Sequence, residues 1–131
     1  MVEEAFKARA DLVAKDFVRC QKWIEDALKY SNGTYSTNDV FYAIIEDSMQ
    51  LWSGDQGCIV TQIVAYPQKK VLYIFLAGGK MEQLFDLESE ITSWAIKQGC
   101  QATEFSGRKG WLKPLTKKGW HHTSVTMIKE I

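Results

Sequence analysis

The sequence has no excess of charge of either sign. Its 131 residues include 16 basic and 16 acidic side chains, so the formal net charge at pH 7 is zero. A chain without a net field has no general attraction for nucleic acid, for an anionic membrane or for a strongly acidic partner. Any recognition by charge must therefore come from a local cluster.

The chain also lacks long apolar runs and paired cysteines. No run approaches the ~20 apolar residues of a membrane-spanning helix, and the acidic start, residues 1–6, lacks the apolar centre of a signal peptide. Cys20, Cys58 and Cys100 are odd in number and contain no Cys-x-x-Cys pair, so they indicate neither a zinc site nor a redox dithiol. We therefore expect an intracellular protein with no signal peptide, no membrane span and no metal.

Apolar residues in the first half recur with the period of helices. A hydrophobic fraction of 46% in 131 residues is enough for one core and one domain. Spacings of three and four over residues 6–28 predict helix, with a break near Lys15. Ser36 and Asp39 resemble a capping box, which predicts a second helix. Residues 1–15 have a further interpretation as an arm that docks on a partner, because their apolar stripe must be buried somewhere.

The second half changes to the period of strands. Residues 58–66 and 71–76 are rich in β-branched and aromatic side chains, and residues 67–70 between them are typical of a hairpin turn. Both faces of the strand at residues 71–76 are apolar, which predicts a central strand covered by helices on both sides. A shorter extended segment is expected before them, at residues 49–52.

Glycines and apolar spacing predict the remaining elements. A long helix over residues 81–98 ends at Gly99, and a short strand at residues 100–105 follows it. After a basic loop, the pattern predicts a short helix at residues 112–118 and a final strand at residues 120–128. No internal repeat or low-complexity segment divides the chain.

Two adjacent glycines, Gly78 and Gly79, stand between an apolar strand and the helix that follows it. Glycine lets the backbone approach a ligand closely, and the first N–H groups of a helix lack intrahelical partners, so this junction can cradle a phosphate. A tight connection with no ligand explains the same residues. The sequence leaves both interpretations open.

The order of these elements resembles the GNAT superfamily of N-acetyltransferases over nearly the whole chain. Two passages carry the resemblance: Phe75-Leu-Ala-Gly-Gly-Lys80 before the long helix, and residues 107–120, where a short helix ends in Lys-x-Gly-aromatic. The compact size and the Arg-Lys-Gly-Trp run at residues 108–111 resemble small GNAT-like proteins of tailed bacteriophages and prophages, some of which are associated with virions. The implied fold is α/β (α+β), with a GNAT-like mixed, mostly antiparallel central sheet flanked by helices, in a single domain of residues 1–131.

In active members of this family, acetyl-CoA sits where two central strands splay apart. The resemblance implies that the pantetheine arm pairs with strand backbone and that the pyrophosphate rests on the helix start. The implied cofactor-binding residues are Phe75, Leu76, Ala77, Gly78, Gly79 and Lys80. The family's loop usually has a Gln or Arg before two spaced glycines, whereas the glycines here are adjacent. The family's tyrosine general acid corresponds to Leu115, which cannot protonate a leaving thiolate.

Glu104 and His121 are the candidate catalytic bases, with His122 beside them. Acetyl transfer gains much of its rate from holding an amine against the thioester, and a base can act through water. The plainer interpretation is that Glu104 is a solvent-facing strand residue and that both histidines lie on the surface. Adjacent histidines on a strand point to opposite faces, so they predict no metal site.

A basic cluster lies within residues 108–118. Interleaved with Trp111 and Trp120, it could contact nucleic acid by neutralising phosphates and stacking on bases. The zero net charge favours instead a solvated short helix whose tryptophans lie in the core. The basic residues are Arg108, Lys109, Lys113, Lys117 and Lys118.

Two functions remain open. The first is a catalytically degenerate GNAT-like protein of phage or prophage origin, expected in the host cytoplasm or the virion. It would bind a virion or host protein through an aromatic surface, which Trp23, Trp52 or Trp111 would mark if exposed. The alternative is an acetyl-CoA-dependent N-acetyltransferase acting on a small amine or a protein amine. A homo-oligomer is compatible with either function.

Overall fold

The chain begins with one long helix in the computed structural model, which describes residues 2–131. Helix α1 spans Val2–Leu28, and its buried residues, Phe17, Cys20 and Ile24, all lie in its second half. The predicted break near Lys15 is wrong. Alanine and lysine favour helix at that point, and no glycine or proline interrupts the i→i−4 hydrogen bonds. Met1, the first residue of the predicted arm, lies outside the described residues.

The predicted capping box is confirmed at the start of the second helix, α2, which spans Thr37–Ile45. The Ser36 hydroxyl accepts from the backbone N–H of Asp39 at 3.2 Å, and the Ser36 N–H donates to the Asp39 carboxylate at 2.8 Å. Hydrogen bonding of the Asp39 carboxylate to the backbone N–H of Ser36, and to a smaller extent to the Ser36 side chain, lowers the pKa of Asp39. Val40, Ile44 and Ile45 form the buried face of the helix, as their spacing predicts.

Four strands form one sheet. Strands β1 (Gln50–Gly54), β2 (Gly57–Ala65) and β3 (Lys70–Gly79) are consecutive antiparallel neighbours. Strand β4 (Ala102–Phe105) pairs with β3 in parallel, so the spatial order is β1-β2-β3-β4. The predicted hairpin between β2 and β3 is confirmed, although β3 extends three residues past its predicted end and includes both glycines of the junction.

Both faces of β3 are covered, as its apolar sequence predicts. Helices α1 and α2 lie on one face, and helix α3 (Met81–Lys97) lies on the other. The first core cluster contains Phe17, Cys20, Ile24, Val40, Ile44, Met49, Cys58, Val60 and Leu76. The second core cluster contains Ile59, Leu72, Ile74, Leu84, Leu87, Ile91 and Ala95. The fold is therefore a single α+β domain with a mostly antiparallel sheet between two helical layers.

The C-terminal region matches the sequence pattern only in part. A 3₁₀ turn (Lys109–Trp111) leads into helix α4 (Leu112–Lys117), and Gly119 follows it at φ +93°. The predicted final strand is wrong, because residues 120–131 form neither helix nor strand. Their β-branched composition fits a half-buried pleated surface, but a strand also needs a neighbouring edge to pair with. None of the four strands formed by residues 2–131 pairs with this segment.

Candidate functional site

The pairing of β3 with β4 ends where the resemblance implies a cofactor. Their pairing runs from Val71 opposite Ala102 to Ile74 opposite Phe105, and β3 then continues to Gly79 with no neighbour on that side among the described residues. We call this region the β3–β4 fork. The open edge of β3 offers unpaired backbone groups of the kind that an extended ligand can pair with.

A β-bulge lies at the point of separation. Val60 of β2 faces Leu76, and the next residue, Thr61, faces Ile74, so Phe75 has no partner across the ladder. A bulge bends its strand and increases the local twist, and bulges are frequent beside active sites. The bulge at Phe75 therefore coincides with the end of the β3–β4 pairing at Ile74 and Phe105.

Aromatic side chains fill the fork on the α3 side. The rings of Phe105 and Trp111 meet edge to face with centroids 5.4 Å apart, and Trp120 and Leu115 complete the wall. The cavity that remains is about 30 Å³. Ligand pockets usually measure about 300–1,000 Å³. A pantetheine arm would have to displace these rings to enter.

Neighbouring chain atoms surround both glycines of the junction. A Cβ atom on Gly78 would lie 2.8 Å from the carbonyl oxygen of Trp23, so Gly78 allows α1 to pack closely on β3. Gly79 has φ +113°, and a Cβ there would collide with the backbone of Gln56 in the β1–β2 turn and of Gly57 at the start of β2. Such contacts explain both glycines by packing, without a phosphate.

The start of α3 also lies against the β1–β2 turn. Lys80 is the single residue between β3 and α3, and its N–H donates to the carbonyl of Gln56 at 2.9 Å. The Gln83 amide oxygen accepts from the Gln56 N–H at 3.2 Å, and its side chain lies over Gly54. Glu82 places a negative charge in the first turn of the helix, which repels a phosphate at that position.

The side chains of the other implied cofactor residues pack in the core. Leu76 is buried in the first core cluster, and Phe75 packs against the same cluster. Ala77 packs against the second core cluster. The backbone of these three residues lies on the free edge of β3, and the side chains of Phe75 and Ala77 are only partly buried.

The candidate bases lie apart from one another. Glu104 is an exposed residue of β4, in register with Tyr73. His121 and His122 are exposed in the C-terminal segment, where the His122 Nε2 lies 2.8 Å from the carbonyl oxygen of Ser124. Within residues 2–131, no hydrogen bond or ion pair joins Glu104 to either histidine.

The five tryptophans are partly buried, so they do not mark an exposed surface. Trp52 donates its indole N–H to the hydroxyl of the buried Thr61 at 3.0 Å and meets Trp94 edge to face at 5.4 Å. Trp111 and Trp120 pack against the second core cluster. This agrees with the interpretation in which the short helix is solvated and its tryptophans lie in the core. The basic residues beside them lie on the surface, where the Lys118 Nζ is 4.8 Å from the centre of the Phe85 ring.

Tyrosines and an arginine form the surface at the open end of the fork. The Arg108 guanidinium lies 4.1 Å from the centre of the Tyr30 ring, and Tyr35 meets Phe75 edge to face at 4.6 Å. Tyr30 is 58% exposed and Tyr35 is 39% exposed. We call Tyr30, Tyr35, Phe75 and Arg108 the tyrosine rim. Sequence reasoning missed it because Tyr30 and Arg108 are brought together only by the fold.

Two of the cysteines are buried and unsuited to nucleophilic chemistry. Cys20 and Cys58 both lie in the first core cluster with no exposed surface. The thiol hydrogen bond with Cys20 and burial raise the pKa of Cys58, so its thiol stays protonated. A reactive cysteine needs thiolate character and access, and Cys58 has neither.

The described residues contain neither a membrane-spanning helix nor a cluster of metal ligands. None of the helices in residues 2–131 has the length and apolar character needed to cross a membrane. Over the same residues, no three side chains of His, Cys, Asp or Glu come together in a way that could hold a metal ion.

Comparison with known proteins places the fold but not the function. No protein-family model and no curated protein matches the chain. A point mutant of TTHA1254 from Thermus thermophilus matches with a TM-score of 0.61 at 14% identity, over 89% of this chain and 91% of that one. Wild-type TTHA1254 matches with a TM-score of 0.59 at 15% identity, over the same shares of the two chains. A tetramutant of BH1408 from Bacillus halodurans matches with a TM-score of 0.59 at 12% identity, over 76% of this chain and 77% of that one. Identities this low show a shared α+β fold alone.

Proposed function

We propose that this chain is a GNAT-like protein of phage or prophage origin that acts by binding a virion or host protein, without transferring an acetyl group. The observation that carries the proposal is the packing of the junction glycines. Trp23 lies against Gly78, and the turn at Gln56 lies against Gly79, where an active family member would hold pyrophosphate.

Acetyl-CoA fits this chain poorly. The free edge of β3 beyond Ile74 suits the pairing of a pantetheine arm, but the rings of Phe105 and Trp111 fill the space beside it. Leu115 lines the same small cavity and offers only hydrocarbon where the family's acid is expected. Under this proposal Gly78 and Gly79 serve packing and Leu115 cannot protonate a thiolate, so we expect no acetyl transfer.

The tyrosine rim is the surface that we assign to the partner. Tyrosine and arginine are over-represented among the residues that dominate binding energy in protein interfaces. The rim shares Arg108 with residues 106–119, a segment that carries five basic side chains, Arg108 included, and no acidic one. A complementary partner therefore presents acidic residues, which would speed association and set its orientation.

The test is affinity capture from phage-infected cells with two matched double variants. Tyr30→Ala with Tyr35→Ala removes the rim, whereas Tyr42→Ala with Tyr66→Ala removes two exposed tyrosines elsewhere. We expect one protein to be captured by the wild type and by the control, and to be lost with the rim variant. Equal capture by all three proteins would contradict the assignment of the rim, and acetyl-CoA turnover by the isolated chain would contradict the proposal as a whole.

The second candidate is an acetyl-CoA-dependent N-acetyltransferase for a small amine or a protein amine. The bulge at Phe75 and the fork beside it favour this function, since they provide the open strand edge that it requires. Under this alternative, Glu104→Gln and His121→Ala are expected to lower turnover without changing acetyl-CoA affinity. Turnover that neither substitution lowers would exclude both residues as its bases.

A further inference from the structure

Four aromatic rings line the small cleft on the α3 side of the fork. They belong to Phe85 of α3, Phe105 of β4, Trp111 of the 3₁₀ turn and Trp120, which follows α4. All four residues are only partly buried, so each keeps part of its surface in contact with solvent. The rings of Phe105 and Trp111 stand at 87° to one another and form two walls of a corner. We call these four rings the aromatic cage.

A carboxylate lies among the rings. Of the described residues that line the cleft, Glu88 alone is charged. It follows Phe85 by three positions and therefore lies on the same side of α3. Glu88 is partly buried, and none of the ion pairs formed within residues 2–131 uses it. A carboxylate that is partly withdrawn from water gains stability from a cation beside it.

One ring of the cage already meets an ammonium group of this chain. The Lys118 Nζ lies 4.8 Å from the centre of the Phe85 ring, within the ~6 Å at which a cation is attracted to an aromatic face. Lys118 forms no ion pair with Glu88. The other basic side chains of residues 108–117 are exposed and none of them lines the cleft, so the charge inside the cleft is negative.

We propose that the aromatic cage binds an organic ammonium group, of the kind carried by a methylated amine. Ring faces attract a cation through their quadrupole, and methyl groups on the nitrogen add apolar contact with the rings. An anion in the same place would be repelled by Glu88. A free methylated amine and a methylated lysine side chain present the same head group.

The size of the cleft agrees with a small head group. Its volume of about 30 Å³ is room for roughly two water molecules. One or two methyl groups of the ligand would enter it, and the remainder would lie against the exposed parts of the rings. The cage is distinct from the tyrosine rim, because Phe105, Trp111 and Trp120 pack against the second core cluster, whereas Phe75 of the rim packs against the first.

The test is a titration of the ¹⁵N-labelled chain with tetramethylammonium chloride, followed through the indole N–H signals in NMR spectra. We expect the signals of Trp111 and Trp120 to shift and to saturate with a dissociation constant on the order of millimolar, because the head group has few atoms. The signals of Trp23 and Trp52, which do not line the cleft, should not shift. Sodium chloride at the same ionic strength controls for salt, and tert-butanol, a neutral molecule of similar shape, controls for apolar binding.

Two variants of α3 give a matched test of the carboxylate. Glu88→Gln removes the charge of the cage, and Glu90→Gln removes an exposed charge two residues further on. We expect Glu88→Gln to raise the dissociation constant roughly five-fold or more, and Glu90→Gln to leave it unchanged. Lys118→Gln should lower it, because the Lys118 ammonium group then no longer competes for the Phe85 ring. Circular dichroism should show that all three variants keep the helical content of the wild type.

A peptide that contains trimethyl-lysine, and the same peptide with unmodified lysine, distinguish the two sources of the head group. Tighter binding of the trimethylated peptide than of tetramethylammonium would assign the head group to a protein side chain, whereas equal or weaker binding would assign it to a free amine. The proposal is overturned if no indole signal saturates, or if sodium chloride or tert-butanol shifts the same signals to the same extent. Equal binding by Glu88→Gln and Glu90→Gln would also overturn it.

Discussion

Replacing Gly78 with alanine separates a packing role for this glycine from a ligand-binding role. Its added Cβ would lie 2.8 Å from the carbonyl oxygen of Trp23 and 3.0 Å from the Trp23 Cβ. The carbonyl belongs to a helix that is fixed on the sheet by its buried side chains, so it cannot move away freely. Overpacking of this kind costs about 1–3 kcal/mol. We expect Gly78→Ala to lower the free energy of unfolding by that amount.

Urea denaturation followed by tryptophan fluorescence measures the effect. For a domain of this size the slope is about 1–3 kcal/mol/M, so the midpoint should fall by roughly 1 M with little change in slope. Gly110→Ala is the matched control, because a Cβ at Gly110 meets nothing within 4 Å. If Gly78→Ala were as stable as this control, the glycine would not be needed for packing, and a ligand-binding role would regain support.

Three further predictions concern the helix cap and the C-terminal segment. Ser36→Ala should cost about 1 kcal/mol in urea denaturation, because the Asp39 N–H loses its acceptor, and an unchanged midpoint would contradict the capping role. The pKa of Asp39 is lower in the folded state, so its contribution to stability is complete above its ordinary pKa of about 3.9 and is lost as the pH falls through the lower folded value. Asp39→Asn should therefore flatten the acid limb of a curve of stability against pH, and an unaltered limb would refute this. Removing residues 121–131 should leave the melting temperature unchanged, because they form no helix or strand, and a marked fall would show that they pair with the domain.

Signals confined to a few neighbouring residues predicted much of the fold. Ser36 and Asp39 predicted the start of α2 because both partners of the capping box lie within one turn. Gly99 and Gly119 predicted helix ends, and both have positive φ. The apolar sequence on both faces of β3 predicted a covered central strand, because a strand buries both faces only when both sides of its sheet are covered, here by helices.

One wrong prediction depended on a distant part of the chain, and the other on a weak local signal. The C-terminal segment has the composition of a strand, but strand formation requires an edge that the sequence pattern does not locate. The predicted break near Lys15 relied on a weak change of pattern within residues that favour helix.

The predicted strand after α3 is confirmed, because the β-rich residues before Phe105 do pair, with β3.

The candidate site shows the same limit. The glycine pair is recognisable from its place between strand and helix, but its role depends on Trp23 and Gln56, which are distant in sequence. Likewise, the closed fork depends on Trp111 and Trp120 packing back onto β3 and β4 from beyond the strand itself. A local motif could suggest a phosphate site here, but only the tertiary contacts show what occupies the space.

Isothermal calorimetry of the purified chain with acetyl-CoA and with free CoA tests the central claim most directly. If the junction glycines serve packing and the fork is closed by its own aromatic rings, neither ligand should give saturable heat up to millimolar concentration. Saturable binding of acetyl-CoA at micromolar concentration would contradict the account and would favour the acetyltransferase alternative.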